Sequence, residues 1–276
     1  MRYKITIEYD GSYYCGWQKQ EKQLSIQESI ETALKNIVGY DVEIFGSGRT
    51  DAGVHALNQV AHFDLNKEIS EYKIIQALNF HLRNQTINRI NEWKKIVKNY
   101  KINNNLNFQD LLPFYKQDIV IKNCEIVADD FDARFSAIER SYKYYIYNSK
   151  TPSAIMQNRA WWVIKELDVE KMEQASQLLI GKMDFSSFRA SECQANSPIK
   201  TVNHCSFSRE NDLIVFNIKA KSFLHHMVRN IIGTLKDVGI GKISINNFQD
   251  IINAKDRTKA GVTAPAYGLY LNEILY

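Results

Sequence analysis

Asp51 is the one carboxylate in a run of small and turn-forming residues, Gly46-Ser47-Gly48-Arg49-Thr50-Asp51-Ala52-Gly53-Val54-His55-Ala56. Glycines let a backbone turn sharply and let a bulky ligand come close. Arg49 and the surrounding amides can recognise an anion, and a carboxylate held among them can act as nucleophile or base. A plain turn between strands fits the same residues, since Asp is a common turn former. Two phosphate-binding patterns fail here. No glycine stands at position 51, and no Gly-Lys-Ser/Thr closes the run, which excludes the dinucleotide fingerprint and the nucleotide P-loop.

A second constellation is Phe223-Leu224-His225-His226-Met227-Val228-Arg229-Asn230. Read as helix, it puts His225 and Arg229 on one face and splays His225 from His226, which makes the pair poor ligands for one metal. An arginine on an apolar helix needs an anionic partner, because its charge cannot be removed. Asp51 is the candidate, in a pairing that would hold and orient the carboxylate; a purely structural ion pair fits the spacing equally. Two further stretches offer aromatic surface. Tyr13-Tyr14-Cys15-Gly16-Trp17-Gln18 suits stacking on bases or sugars as well as core packing. Phe131 to Phe135, followed by Arg140-Ser141-Tyr142-Lys143-Tyr144-Tyr145, suits an RNA-facing strand as well as a sheet interior.

The elements that must carry these groups are legible from periodicity. Tyr3, Ile5, Ile7 and Tyr9 alternate with polar residues as in a half-buried strand. Ser25 and Glu28 form a capping-box pair opening a helix with Ile26, Ile30, Ala33, Leu34 and Ile37 inward. Strands are expected over Val42–Phe45 and Val60–Phe63, so the Asp51 loop should be held by strands on both sides. In the second half, strands are expected over Tyr142–Tyr147, Trp161–Ile164, Val202–Phe207, Leu213–Ala220 and Tyr267–Ile274. Asp168 should cap a helix that Gly181 ends; a long helix from about Leu224 should stop at Gly239, and Ser244 should cap a short one through Ala254. Strands mixed with packing helices in each half predict an α+β class with a boundary near Asp129-Asp130. From about Arg83 to Lys116 the chain is rich in Asn and Lys and reads as a surface insertion, part helix and part loop, with Ile90, Trp93, Ile96 and Val97 on one face.

Composition sets outer bounds. The 276 residues are 45% hydrophobic and 24% charged, in the ordinary globular range. A formal net charge of +4 permits contact with nucleic acid without requiring it. Cys15, Cys124, Cys193 and Cys205 include no Cys-x-x-Cys pair, which argues against a zinc site and a disulfide framework. No apolar run approaches membrane-spanning length, so a cytoplasmic chain with no membrane contact is expected.

The chain resembles the tRNA pseudouridine synthase A family. The resemblance is carried by Glu8-Tyr9-Asp10-Gly11 with Gly16-Trp17-Gln18, Gly48 to His55, Asp132 to Ala137 and Arg140 to Tyr144. It continues through Asp184 to Arg189, His225 to Asn230 and Gly268 to Leu271, in family order over nearly the whole chain. The resemblance implies two related α+β domains, about 1–130 and 131–276, whose sheets meet at a central active-site cleft. It implies isomerisation of uridine to pseudouridine in the anticodon stem-loop of tRNA, at about positions 38 to 40, with no cofactor or metal and with a homodimer binding the tRNA. Asp51 becomes the nucleophile, through attack at C1′ or C6 or by way of a glycal, and Arg229 its partner. Tyr142 would stack on the base and help remove the C5 proton, Arg49 would contact the RNA beside the flipped nucleotide, and Leu269 would line the base pocket. His55 reads as a support of the loop, and Lys19, Lys22, Arg134, Lys143, Arg189 and Arg257 as phosphate contacts. A synthase for another RNA, or a non-catalytic tRNA-binding protein, would share these features. A metal-dependent hydrolase would need further carboxylates in the loop.

Overall fold

In a computed structural model the backbone is described for residues 1–104 and 117–276, and the side chains of 93, 94 and 96–104 fall outside the described set. Strand β1 (Arg2–Tyr9) buries Tyr3, Ile5, Ile7 and Tyr9, as the alternation requires. It lies between β3 (His55–Asp64) and β4 (Ile119–Val127), antiparallel to both. Helix α1 (Ile26–Val38) begins where the Ser25 side chain accepts the Glu28 amide, and ends at Gly39 in the left-handed region.

The strand expected over Val42–Phe45 is instead the two-residue β2 (Phe45–Gly46). Val42 and Ile44 are buried. The Ile44 amide donates to Glu31 Oε1 and its carbonyl accepts from Gln27 Nε2, so α1 side chains take the place of a ladder partner. The sequence reading also does not mark the start of α2 (Glu71–Asn104), which runs 34 residues across α1 and β4. Asn79 both accepts the Ile121 amide and donates to its carbonyl, fastening α2 to the edge strand. The expected insertion thus begins inside a continuous helix: Leu82 and Thr86 are buried, and Arg89 pairs with Asp118 at 3.1 Å. The side chains of Trp93, Ile96 and Val97 on its expected apolar face, and all of residues 105–116, lie outside the described set.

The second half supplies β5 (Glu139–Asn148), β6 (Trp161–Val163), α3 (Val169–Gln177), β7 (Gly181–Asp184), β8 (Ile199–Glu210), β9 (Leu213–Ala220), α4 (Met227–Gly239), α5 (Ile245–Ala254) and β10 (Leu269–Leu275). Asp168 caps α3 as expected, but Gly181 does not end it. The Leu178 amide closes α3 back onto Ala175 and Ser176, and Gly181, at φ 110°, opens β7 instead. Ser244 and Asn247 form a reciprocal capping box on α5.

One ten-stranded sheet runs β4-β1-β3-β10-β5-β9-β8-β7, with β2 on β3 and β6 on β5. The α+β class stands, and the sheets of the two halves meet edge to edge at β10. That strand pairs in parallel with β3 (Tyr270 with His55, Leu271 with Ala56) and antiparallel with β5 (Leu271 with Tyr142). The last strand of the chain therefore sets the end of the Asp51 loop beside the strand that carries Tyr142. Helix α4 packs behind, burying Met227, Val228, Ile231, Ile232 and Leu235. Each such side chain contributes roughly 1.5–3 kcal/mol when fully buried, so α4 is firmly seated.

Candidate active site

The loop between β2 and β3 is pinned along its length. Tyr9 Oη and Thr50 Oγ1 share a hydrogen bond of 2.7 Å, and the Trp17 amide donates to the Thr50 carbonyl at 3.1 Å. Gln59 Nε2 donates to the Gly48 carbonyl, while Ser47 Oγ donates to Gln59 Oε1. Gly16, at φ 109°, lies so close that a Cβ there would collide with the Thr50 carbonyl, so only glycine fits. Tyr14 and Trp17 are buried, Trp17 against Gly46 of this loop and Tyr14 against Arg89 of α2, and neither presents a stacking face. Tyr13 alone of that aromatic run is exposed.

Asp51 sits partly buried where the two halves meet, with three side-chain nitrogens within 3.3 Å of its carboxylate. Arg229 Nη1 donates to Oδ2 at 3.0 Å, His226 Nε2 lies 3.2 Å from Oδ2, and His225 Nε2 lies 3.3 Å from Oδ1. Arg229 is anchored from its other side, because Nε donates to the Ala264 carbonyl at 2.8 Å. The anionic partner expected for Arg229 is thus Asp51.

The histidines correct the sequence reading. Helix α4 starts at Met227, so His225 and His226 precede it, and His226 adopts φ 59°, in the left-handed region. That turn brings the two rings together, centroids 4.0 Å apart, rather than splaying them on a helix. Burial lowers the His226 pKa, with Arg229 and His225 pushing the same way against Asp51. Asp51, His225 and His226 bring donor atoms within 4.8 Å of one another, the spacing of a metal site. The fixed charge of Arg229 on the same carboxylate opposes a cation there. These groups fit a carboxylate paired with and oriented by Arg229 better than a bound ion.

Tyr142 lies on the buried face of β5 with its ring edge-on to Phe223 at 5.0 Å. Burial, and then the charge of Asp51, push its phenol up to about 12. Leu269 is buried one step along, in register with Tyr144, whereas Leu271 is the neighbour of Tyr142 in β10. Arg49 is exposed on the loop. His55 is buried, accepts the Gly11 amide at Nδ1 and reaches the Asn158 carbonyl through Nε2. Burial lowers its pKa, and that tautomer is neutral, so its proximity to Asp10 is not an ion pair. Among the expected phosphate contacts, Arg189 Nη2 donates to the Cys193 and Ala195 carbonyls, and Arg257 Nη1 and Nη2 donate to Ala260, Gly261, Asn230 and Thr263. Their donors close loops of the second half.

Arg140, to which the motifs assign no role, braces the site. Its buried guanidinium donates to three backbone carbonyls: Ser47 at the start of the Asp51 loop, Arg134, and Lys221 just before Phe223. It ties both walls of the cleft to β5. The available signal was its position, two residues before Tyr142 on the same strand face.

If Tyr142 moves a proton as well as stacking, Tyr142→Phe keeps the ring and loses the hydroxyl. Turnover should then fall by about 10²–10⁴-fold with binding of RNA preserved. Single-turnover rates with saturating enzyme check this; a Phe variant at wild-type rate would leave Tyr142 a stacking role alone.

A sequence pattern described as tRNA pseudouridine synthase matches residues 5–99 and 175–276. A protein of Rhodospirillum rubrum named tRNA pseudouridine synthase A is 43% identical over 276 residues, covering 100% of this chain and 88% of its own. One of Brucella ovis with the same name is 41% identical over 275 residues, covering 100% of this chain and 98% of its own.

Proposed function

The chain belongs to the tRNA pseudouridine synthase family and is an isomerase of uridine in tRNA, and on that premise we propose that Asp51 is its nucleophile. The observation that carries the proposal is the Asp51–Arg229 pair at 3.0 Å, beside Tyr142, in a loop fixed to the sheet junction. A carboxylate so oriented attacks without first having to be ordered. The N1–C1′ bond of the target uridine breaks, the base turns within the pocket, and C5 bonds to C1′. The C5 proton is lost and N1 gains one, so substrate and product are isomers. Attack at C1′, attack at C6 and a glycal route all obey this balance.

Tyr142 enters as a neutral phenol, since its pKa is about 12. It stacks on the base, and it takes the C5 proton only by passing its own onward. Arg49, exposed on the same loop, contacts the RNA next to the flipped nucleotide, and Leu269 closes the apolar side of the base pocket. The target is the anticodon stem-loop, at about positions 38 to 40, a shape a protein reads through splayed loop bases. We further assign residues 1–130 and 131–276 as two units, a homodimer as the binding form and the cytoplasm as its place. No helix among the described residues is long and apolar enough to cross a membrane. A dimer also gives a chain of net charge +4 a longer positive surface for tRNA.

The test is to incubate the purified protein with unmodified tRNA, without metal or nucleotide, and to map the pseudouridines formed. Conversion confined to the anticodon stem-loop is expected. Conversion confined to another arm would overturn the target assignment and leave the isomerase activity standing.

A further inference from the structure

Phe135, 79% accessible, is a highly exposed aromatic side chain, yet it stands on a loop held by several hydrogen bonds. Asp132 Oδ1 accepts the amides of both Arg134 and Phe135, at 2.7 and 2.8 Å. The Ser136 amide donates to the Asp132 carbonyl, the Ala133 amide to His62 Nδ1, and Tyr276 Oη to the Ala133 carbonyl. The ring is therefore held in water by an ordered backbone, without being part of the core. The Arg134 guanidinium, itself exposed, lies 5.4 Å from the ring centroid.

Arg140 places this ring relative to the chemistry. One of its nitrogens, Nη2, donates to the carbonyl of Arg134 at 2.6 Å and to that of Ser47 at 2.9 Å. Ser47 lies four residues before Asp51. Its Nη1 donates to the Lys221 carbonyl, two residues before the Phe223 ring that abuts Tyr142. The Phe135 loop thus borders the cleft, and its flanking exposed side chains Arg134, Lys221 and Arg49 are all cationic.

We propose that Phe135 and Arg134 form a stacking platform for an unpaired RNA base next to the target uridine. The inference rests on the anticodon-loop reading above. Turning a nucleotide out of its stack strips one face of its neighbour, and a preordered aromatic ring with a cation beside it replaces that face. Because every base has a π-face, such a platform strengthens binding without demanding one sequence.

The experiment uses the full chain and anticodon stem-loop tRNA carrying 2-aminopurine beside the target. Binding to wild type should change the probe fluorescence as the base stacks on Phe135. Phe135→Ala should raise Kd and KM by about 5- to 150-fold, with the loss on KM rather than kcat, and should abolish the fluorescence change. Phe135→Trp should restore both. Wild-type affinity and probe response in Phe135→Ala would overturn the platform. So would a shift in its sedimentation, which would make Phe135 a contact between copies of this chain. Failure of the wild type to modify the stem-loop at all would instead condemn the target assignment.

Discussion

Asp51→Asn should lower turnover by at least about 10⁴-fold while changing tRNA affinity by less than about threefold. The substitution keeps the size of the side chain and an acceptor for Arg229, but removes the charge and the nucleophilic oxygen. Arg229 donates to Oδ2, and His226 Nε2 and His225 Nε2 lie 3.2 and 3.3 Å from Oδ2 and Oδ1. The loop is held by Tyr9, Trp17 and Gln59 through Thr50 and Gly48, none of which touches the carboxylate. Its shape should therefore survive. The variant leaves a partly buried arginine without its counter-charge, which costs stability, so melting is measured alongside. Tritium release from tRNA labelled at uridine C5 reports turnover. More than about a hundredth of wild-type release from a pure, folded variant would remove Asp51 from the nucleophile role.

Arg229→Ala is the second large effect, expected at about 10²–10³-fold in kcat with KM little changed. It is smaller than that of Asp51→Asn because His225 and His226 still face the carboxylate. Arg229 also holds the Ala264 carbonyl through Nε, so alanine removes one of the ties on the segment leading into β10, the backbone bond from the Ala264 amide remaining. Arg229→Lys separates the two roles: it keeps the charge but lacks the planar fork that serves Asp51 and Ala264 together. An intermediate kcat for Lys, between Ala and wild type, is the expected order. If Ala melts lower yet turns over normally once folded, Arg229 is a structural strut and Asp51 needs no orienting cation.

Much of the site was legible because its chemistry is local in the chain. A carboxylate between glycines is visible as four or five neighbouring letters, and Arg229 announced a need for an anion by standing on an apolar helix. The half-buried strand β1 and the capped helices α1, α3 and α5 were equally readable, since periodicity and caps are properties of a few consecutive residues. Readings failed where a distant group replaced a local partner. The Ile44 backbone bonds to Gln27 and Glu31 rather than to a strand. Elsewhere, helix α3 ends at Gln177 through backbone closure at Leu178, not at the expected Gly181.

By itself, the sequence determined the residue types of the cleft, the α+β class and the resemblance that names the reaction, because each is written in contiguous motifs. Only the tertiary structure decided which groups surround Asp51. The left-handed turn at His226 swings both imidazoles onto it, and Arg140 binds the loop, the Phe135 rim and the β9 end through three carbonyls. A backbone carbonyl looks the same at every position in a sequence, and a single reversed φ redirects two side chains. Convergence of that kind is settled by the sheet junction at β10, where residues more than two hundred apart become neighbours.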